Sequence, residues 1–155
     1  MSQNFQPPAP TSYTPAPAPA PIRSGNAALG ILAALVAGVA AAGVYGGIVG
    51  ATEHQISYAA LGVGALVGFA AAKAGGRNAA LPVVAAVVSV FAVLAGQLFG
   101  VALLGADQLS ESVIDVLTNR SAEVVDNWKE NLNPLTFLFL AIGGYAAFQV
   151  SRKTA

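Results

Sequence analysis

Four apolar stretches, each without a charge in its middle, divide this chain, and short polar or charged segments separate them. The first runs from Ala27 to Gly50, the second from about Ile56 to Ala74, the third from about Ala79 to Gly105 and the fourth from Leu135 to Val150. A helix rises 1.5 Å per residue, so the first stretch alone reaches roughly 36 Å, enough to cross a bilayer core of about 30 Å. Pro82 falls in the first turn of the third stretch, where a missing N–H costs little. The fourth stretch is short but well punctuated. Asn133 can cap it, Pro134 suits its first helical position, and Arg152 with Lys153 can snorkel to the interface at its end. Connections after the first two stretches are only a few residues long, which makes neighbouring helices antiparallel hairpins. The pattern predicts an all-α membrane protein built as a four-transmembrane-helix bundle.

Two segments break that pattern. In residues 106–134, Leu109, Val113, Val116 and Leu117 recur at helical spacing, as do Val124, Trp128 and Leu132, with acidic residues in the gaps. Ser112 to Asp115 resembles a capping box, and Asn119 to Ser121 interrupts the helical pattern. We expect an amphipathic interfacial helix, in one or two pieces, between spans three and four on the outer membrane surface, with Trp128 at headgroup depth. Residues 1–24 hold seven of the nine prolines, four of them alternating with alanine. Such a run predicts a disordered, locally polyproline-II tail. Its Pro7-Pro8-Ala9-Pro10 matches a PxxP ligand, although a solvated spacer is the simpler reading. The tail has neither the apolar core nor the basic cluster of a signal peptide, so the first span is expected to stay attached. The expected organisation is a tail (1–24) and one membrane domain (25–153).

Composition strengthens the membrane assignment. Charged residues make up 9% of the chain, against about a quarter in soluble domains, and mean hydropathy is +0.66. The net charge of +0 hides a separation. On the threading above, all seven carboxylates lie on one side: Glu53 in the first loop, and Asp107, Glu111, Asp115, Glu123, Asp126 and Glu130 in the third. Five of the seven basic residues lie on the other: Arg23, Lys73, Arg77, Arg152 and Lys153. Cytoplasmic flanks are enriched in Lys and Arg, which places both termini in the cytoplasm. Neutral overall charge gives no reason to expect nucleic acid. The absence of cysteine excludes disulfides, thiolate nucleophiles and cysteine metal clusters.

The candidate packing residues are small ones at four-residue spacing. Gly30, Gly38, Gly46 and Gly50 form a stripe with Ala34 and Ala42, while Gly64 and Gly68 continue one with Ala60 and Ala72. Gly96 and Gly100 form a GxxxG in the third span. Lipid gives apolar helices no hydrophobic reason to associate, so close backbone approach supplies the attraction. The stripes either fold the monomer or leave a glycine face for self-association. Gln97, between Gly96 and Gly100, is the strongly polar side chain at depth. It is expected to bond a carbonyl or hydroxyl of a facing helix, the alternative being the lining of a narrow pore. The spans carry no ionisable residue in their middles, which argues against pumps and ion-coupled carriers.

Catalytic and metal chemistry find little purchase. His54, the sole histidine, stands beside Glu53, with Ser57 and the third-loop aspartates as the remaining triad partners, and no nucleophile elbow is present. The six carboxylates of the third loop lack the density of a calcium loop and read as a solvated helix face. Asn119-Arg120-Ser121 matches a glycosylation sequon, which matters only in a eukaryotic secretory pathway. No catalytic, cofactor or metal-ligating residue is assigned.

The stretch from His54 to Gly68, HQISYAALGVGALVG, followed by Lys73-Ala74-Gly75-Gly76, resembles the start of the second helix in small uncharacterised bacterial four-helix membrane proteins. Some of these carry disordered or zinc-ribbon amino-terminal segments. The likeness covers residues 27–105 and consists mostly of glycine spacing; the proline-rich tail replaces any ribbon. It implies no catalytic residue. The alanine- and proline-rich composition points to a high-GC bacterium such as an actinobacterium. The expected function is that of a non-enzymatic inner-membrane protein, structural or accessory to a membrane assembly. Its partners would be the lipid bilayer and either a second copy or another membrane protein. The alternative is an oligomeric passive pore or small-solute facilitator.

Overall fold

A computed structural model describes residues 25–54, 56 and 58–154. The expected disordered tail, residues 1–24, lies outside the described residues, as does Ser57. Among the described residues the protein is all-helical. Its helices are α1 (Ala27–Thr52), α2 (Ala59–Gly75), α3 (Leu81–Leu109), α4 (Val113–Asn119), α5 (Ser121–Glu130) and α6 (Pro134–Thr154). Three of them, α1, α3 and α6, are long and apolar enough to cross a membrane, while α2 is apolar but only 17 residues long.

Side chains cap the starts of three of these helices. Asn26 accepts the Leu29 N–H at 3.3 Å to start α1, and Asn133 accepts that of Thr136 at 3.0 Å to start α6. Ser112 accepts the Ile114 N–H at 3.2 Å at the head of α4. The third helix runs on to Leu109, beyond the apolar stretch, and closes with the Glu111 N–H donating to the Ala106 carbonyl at 3.0 Å. That turn puts Ser110 at φ 54°, a left-handed conformation usually left to glycine. Arg120 then separates α4 from α5.

Helix order follows from which residues meet. Gly30 lies against Ala71 and Gly75, so α1 and α2 are antiparallel. Gly38 meets Val88, Gly46 meets Gly96 and Gly50 meets Leu103, so α1 and α3 are parallel. Gly64 meets Gly143 and Gly68 meets Ala147, which makes α2 and α6 parallel as well. Helices α2 and α3 touch across the middle, whereas α1 and α6 make no contact with each other. The principal core is built from alanine and valine, with Tyr45 its one aromatic buried member. A second, smaller core (Ala102, Ala106, Val116 and Val124) joins α4 and α5 to α3, the only long helix they touch. The outward faces of the long helices are apolar too: Val39 is 76% exposed and Phe91 66%. Such surfaces suit lipid as their solvent.

Candidate functional site

The polar residues meet where α5 crosses α3. Gln97 occupies a buried position on α3, and the Trp128 indole N–H donates to its Oε1 at 2.9 Å. Tyr45, buried on α1, sets its ring against the neighbouring Gly96. The expected partner for Gln97 was a carbonyl or hydroxyl of a facing span; the bond observed comes instead from the amphipathic segment. Trp128 is half-buried and spends its one donor on α3. Its position follows from the small core above it. Val116 and Val124 seat on Ala102 and Ala106, and Trp128 lies one helical turn beyond Val124 on the same face of α5.

Next to this junction is a cleft of about 310 Å³ between α3 and the α4–α5 pair. Its floor is apolar, including Val101, Leu104 and Val116, and its rim carries Gln108, Arg120, Glu123 and Asn127. Arg120 is clamped. Its Nε and Nη2 donate to the two carboxylate oxygens of Glu111, both at 3.0 Å, and its Nη1 donates to Glu123 at 3.2 Å. These carboxylates, Glu111 foremost, hold the guanidinium above its ordinary value. The clamp ties the turn after α3 to the start of α5, so the rim is a set of mutually satisfied charges.

The glycines of the stripes lie against neighbouring helices, some at side chains and some at backbone. A methyl group on Gly46 would come within 2.8 Å of the Gly96 carbonyl, and one on Gly96 within 2.7 Å of the Tyr45 ring. On Gly100 it would meet Val49 at 2.7 Å, on Gly50 Leu103 at 2.9 Å, on Gly38 Val88 at 3.0 Å and on Gly30 Leu81 at 2.6 Å. Gly64 and Gly68 are tighter still, facing the carbonyls of Gly143 and Ala147 directly. By contrast Gly43, Gly47 and Gly62 have nothing within 4 Å.

Three contributors escaped the sequence reading. Gly143 is the α6 half of the α2–α6 contact, and its signal was the Gly143-Gly144 pair with Ala147 one turn on. Ser89, fully buried on α3, donates to the Gly143 carbonyl at 3.3 Å. Tyr45 stands in an apolar span with no polar neighbour in sequence to mark it. His54 is exposed at the end of α1, its Nδ1 2.6 Å from the Thr52 carbonyl. Among the described residues no three His, Asp or Glu side chains converge into a metal-binding group. No family model, curated protein or solved structure matches this chain.

Proposed function

We propose that this is a non-enzymatic bacterial inner-membrane protein, structural or accessory to a larger membrane assembly, with α1, α2, α3 and α6 as its four spans. Helix α2 reaches about 25 Å, at the short end of spanning helices, and it is lined by neighbours on three helices. The α4–α5 segment lies at the outer interface, and both termini, including the proline-rich tail, lie in the cytoplasm. The charge distribution supports that orientation: Lys73, Arg77, Arg152 and Lys153 gather at one end of the helices, and Glu111, Glu123 and Asp126 at the other. The chain is proposed to belong with the small bacterial four-helix proteins that its second helix resembles.

One observation carries the choice of accessory protein over pore: the amide of Gln97 is buried and bonded to Trp128. A pore lining must offer its polar atoms to a water-filled path. Here the amide fastens one helix to another, and the acidic outer segment it fastens is the surface presented to a partner, either a second copy or another membrane protein.

Proteoliposomes and reporter fusions test this together. Water and glycerol flux is expected to match protein-free vesicles. Alkaline phosphatase is expected to be active when fused within residues 106–134 and inactive when fused after Ala155. A wild-type flux abolished by Gln97→Leu would install the pore in place of the accessory reading, and the reverse reporter pattern would invert the topology.

A further inference from the structure

Among the described residues, the cations at the end of the helices opposite α4 and α5 pair with no carboxylate. Among the described residues the three ion pairs all involve Arg120 or Lys129, and Lys73, Arg77, Arg152 and Lys153 make none. Lys73 lies in the last turn of α2, Arg152 and Lys153 in the last turn of α6, and Arg77 just after α2. The connection from Gly76 to Ala80 contains no Asp or Glu.

Two of these cations share a distinctive setting. Helices α2 and α6 run parallel, in a register fixed by the backbone contacts of Gly64 with Gly143 and Gly68 with Ala147. The same sequence offset relates Phe69 to Phe148 and Lys73 to Arg152, so the two phenylalanines stand at one height and the two cations at another. In each helix the cation lies back over the ring one turn earlier: Lys73 Nζ is 5.5 Å from the Phe69 centroid, and Arg152 Cζ is 5.4 Å from that of Phe148. A cation within about 6 Å of a ring face is attracted by its quadrupole. Folding back places each charge beside the last helical turn, and Phe69 beneath Lys73 is itself 48% exposed.

We infer that this end of the protein binds the headgroups of anionic phospholipids, with Lys73 and Arg152 as two contacts at phosphate depth and Arg77 and Lys153 adding to the field. The inference rests on the four-span reading above. A soluble anion calls for donors that converge on one point. These cations sit at matching height on separate helices, each beside an apolar ring, and that arrangement matches a plane of phosphates bordering hydrocarbon. Basic residues beside a membrane draw anionic lipid in this way.

The experiment reads electron paramagnetic resonance of spin-labelled phosphatidylglycerol, against spin-labelled phosphatidylcholine, in phosphatidylcholine vesicles containing the full chain. Phosphatidylglycerol is expected to associate at least about threefold more strongly, with the preference weakening at high salt. The ratio should fall towards one in Lys73→Gln/Arg152→Gln and stay at the wild-type value in Lys129→Gln, which removes a cation at the opposite end. Equal association of the two lipids with wild type would overturn the inference. So would an unchanged ratio in the double variant, an equal loss in Lys129→Gln, or release of the labelled lipid by inorganic phosphate. A chain stripped from the vesicles by alkaline carbonate would sink the spanning reading and this inference with it. An embedded chain without lipid preference would sink this inference alone.

Discussion

The contact of α2 with α6 and the contact of α3 with α4 and α5 hold the same protein together by opposite means. Along α2 and α6 the backbones nearly touch: Gly64 and Gly68 face the carbonyls of Gly143 and Ala147, and the side chains contribute mainly by being absent. Ser151 is fully buried on α6, and its hydroxyl has no partner among the described residues. Where α4 and α5 meet α3, side chains do the joining. Four small apolar residues form a second core, Trp128 bonds Gln97, and Arg120 is held by two glutamates. The first contact leaves no room for added atoms, and the second draws on polar side chains as well as apolar ones. The difference fits the proposed surroundings. Between spans in lipid only dispersion and close approach are available, whereas a segment at the interface can use hydrogen bonds and charge.

Adding bulk to the α2–α6 contact should give the largest effect. Gly64→Leu or Gly68→Leu places a side chain where a single Cβ already meets a carbonyl, and should cost about 3 kcal/mol, the upper end of what overpacking usually costs. Thermal unfolding in detergent reads this, with Gly62→Leu as the control on the same helix, because nothing lies within 4 Å of Gly62. Equal Tm for Gly64→Leu and Gly62→Leu would erase the contrast between the two regions.

The hydrogen bond between α5 and α3 should come next. Gln97→Leu removes the acceptor of the indole N–H and should cost about 1–2 kcal/mol. Trp128→Phe should do similar harm, and the double variant should be little worse than either single one, since both remove the same bond. Costs that simply add would show that the two side chains do not act together, and that the second region rests on its apolar core alone.

Breaking the Arg120 clamp should matter least. Arg120→Gln leaves two exposed glutamates without their partner, and solvent and salt already weaken exposed pairs. A small loss of Tm at low ionic strength, vanishing at high salt, is the expected result. A large and salt-independent loss would show that the clamp, rather than Trp128, anchors α4 and α5.

Much of the helical layout could be read along the chain. Apolar runs without a charge in their middles, Asn133 as a cap, and the interruption at Asn119 to Ser121 all act through neighbours a few residues away. Boundaries were less legible where apolar and polar patterns overlap: α3 continues to Leu109 because its last turns still bury Ala102 and Ala106 against α4 and α5. Gly43, Gly47 and Gly62 show the limit of spacing arguments. They look like the glycines of the packing stripes, yet each faces open space.

The sequence by itself determined that this chain is helical, that long parts of it suit a membrane, and that its opposite charges are sorted into separate segments. Each of these depends on local periodicity, length and composition, which a single chain carries in full. Only the tertiary structure decided which glycines touch, that α1 pairs in parallel with α3 and α2 with α6, and that the partner of Gln97 is Trp128. Those pairings join residues distant in the chain. They turn on the rotation and register of whole helices, which small apolar side chains leave open until the backbones meet.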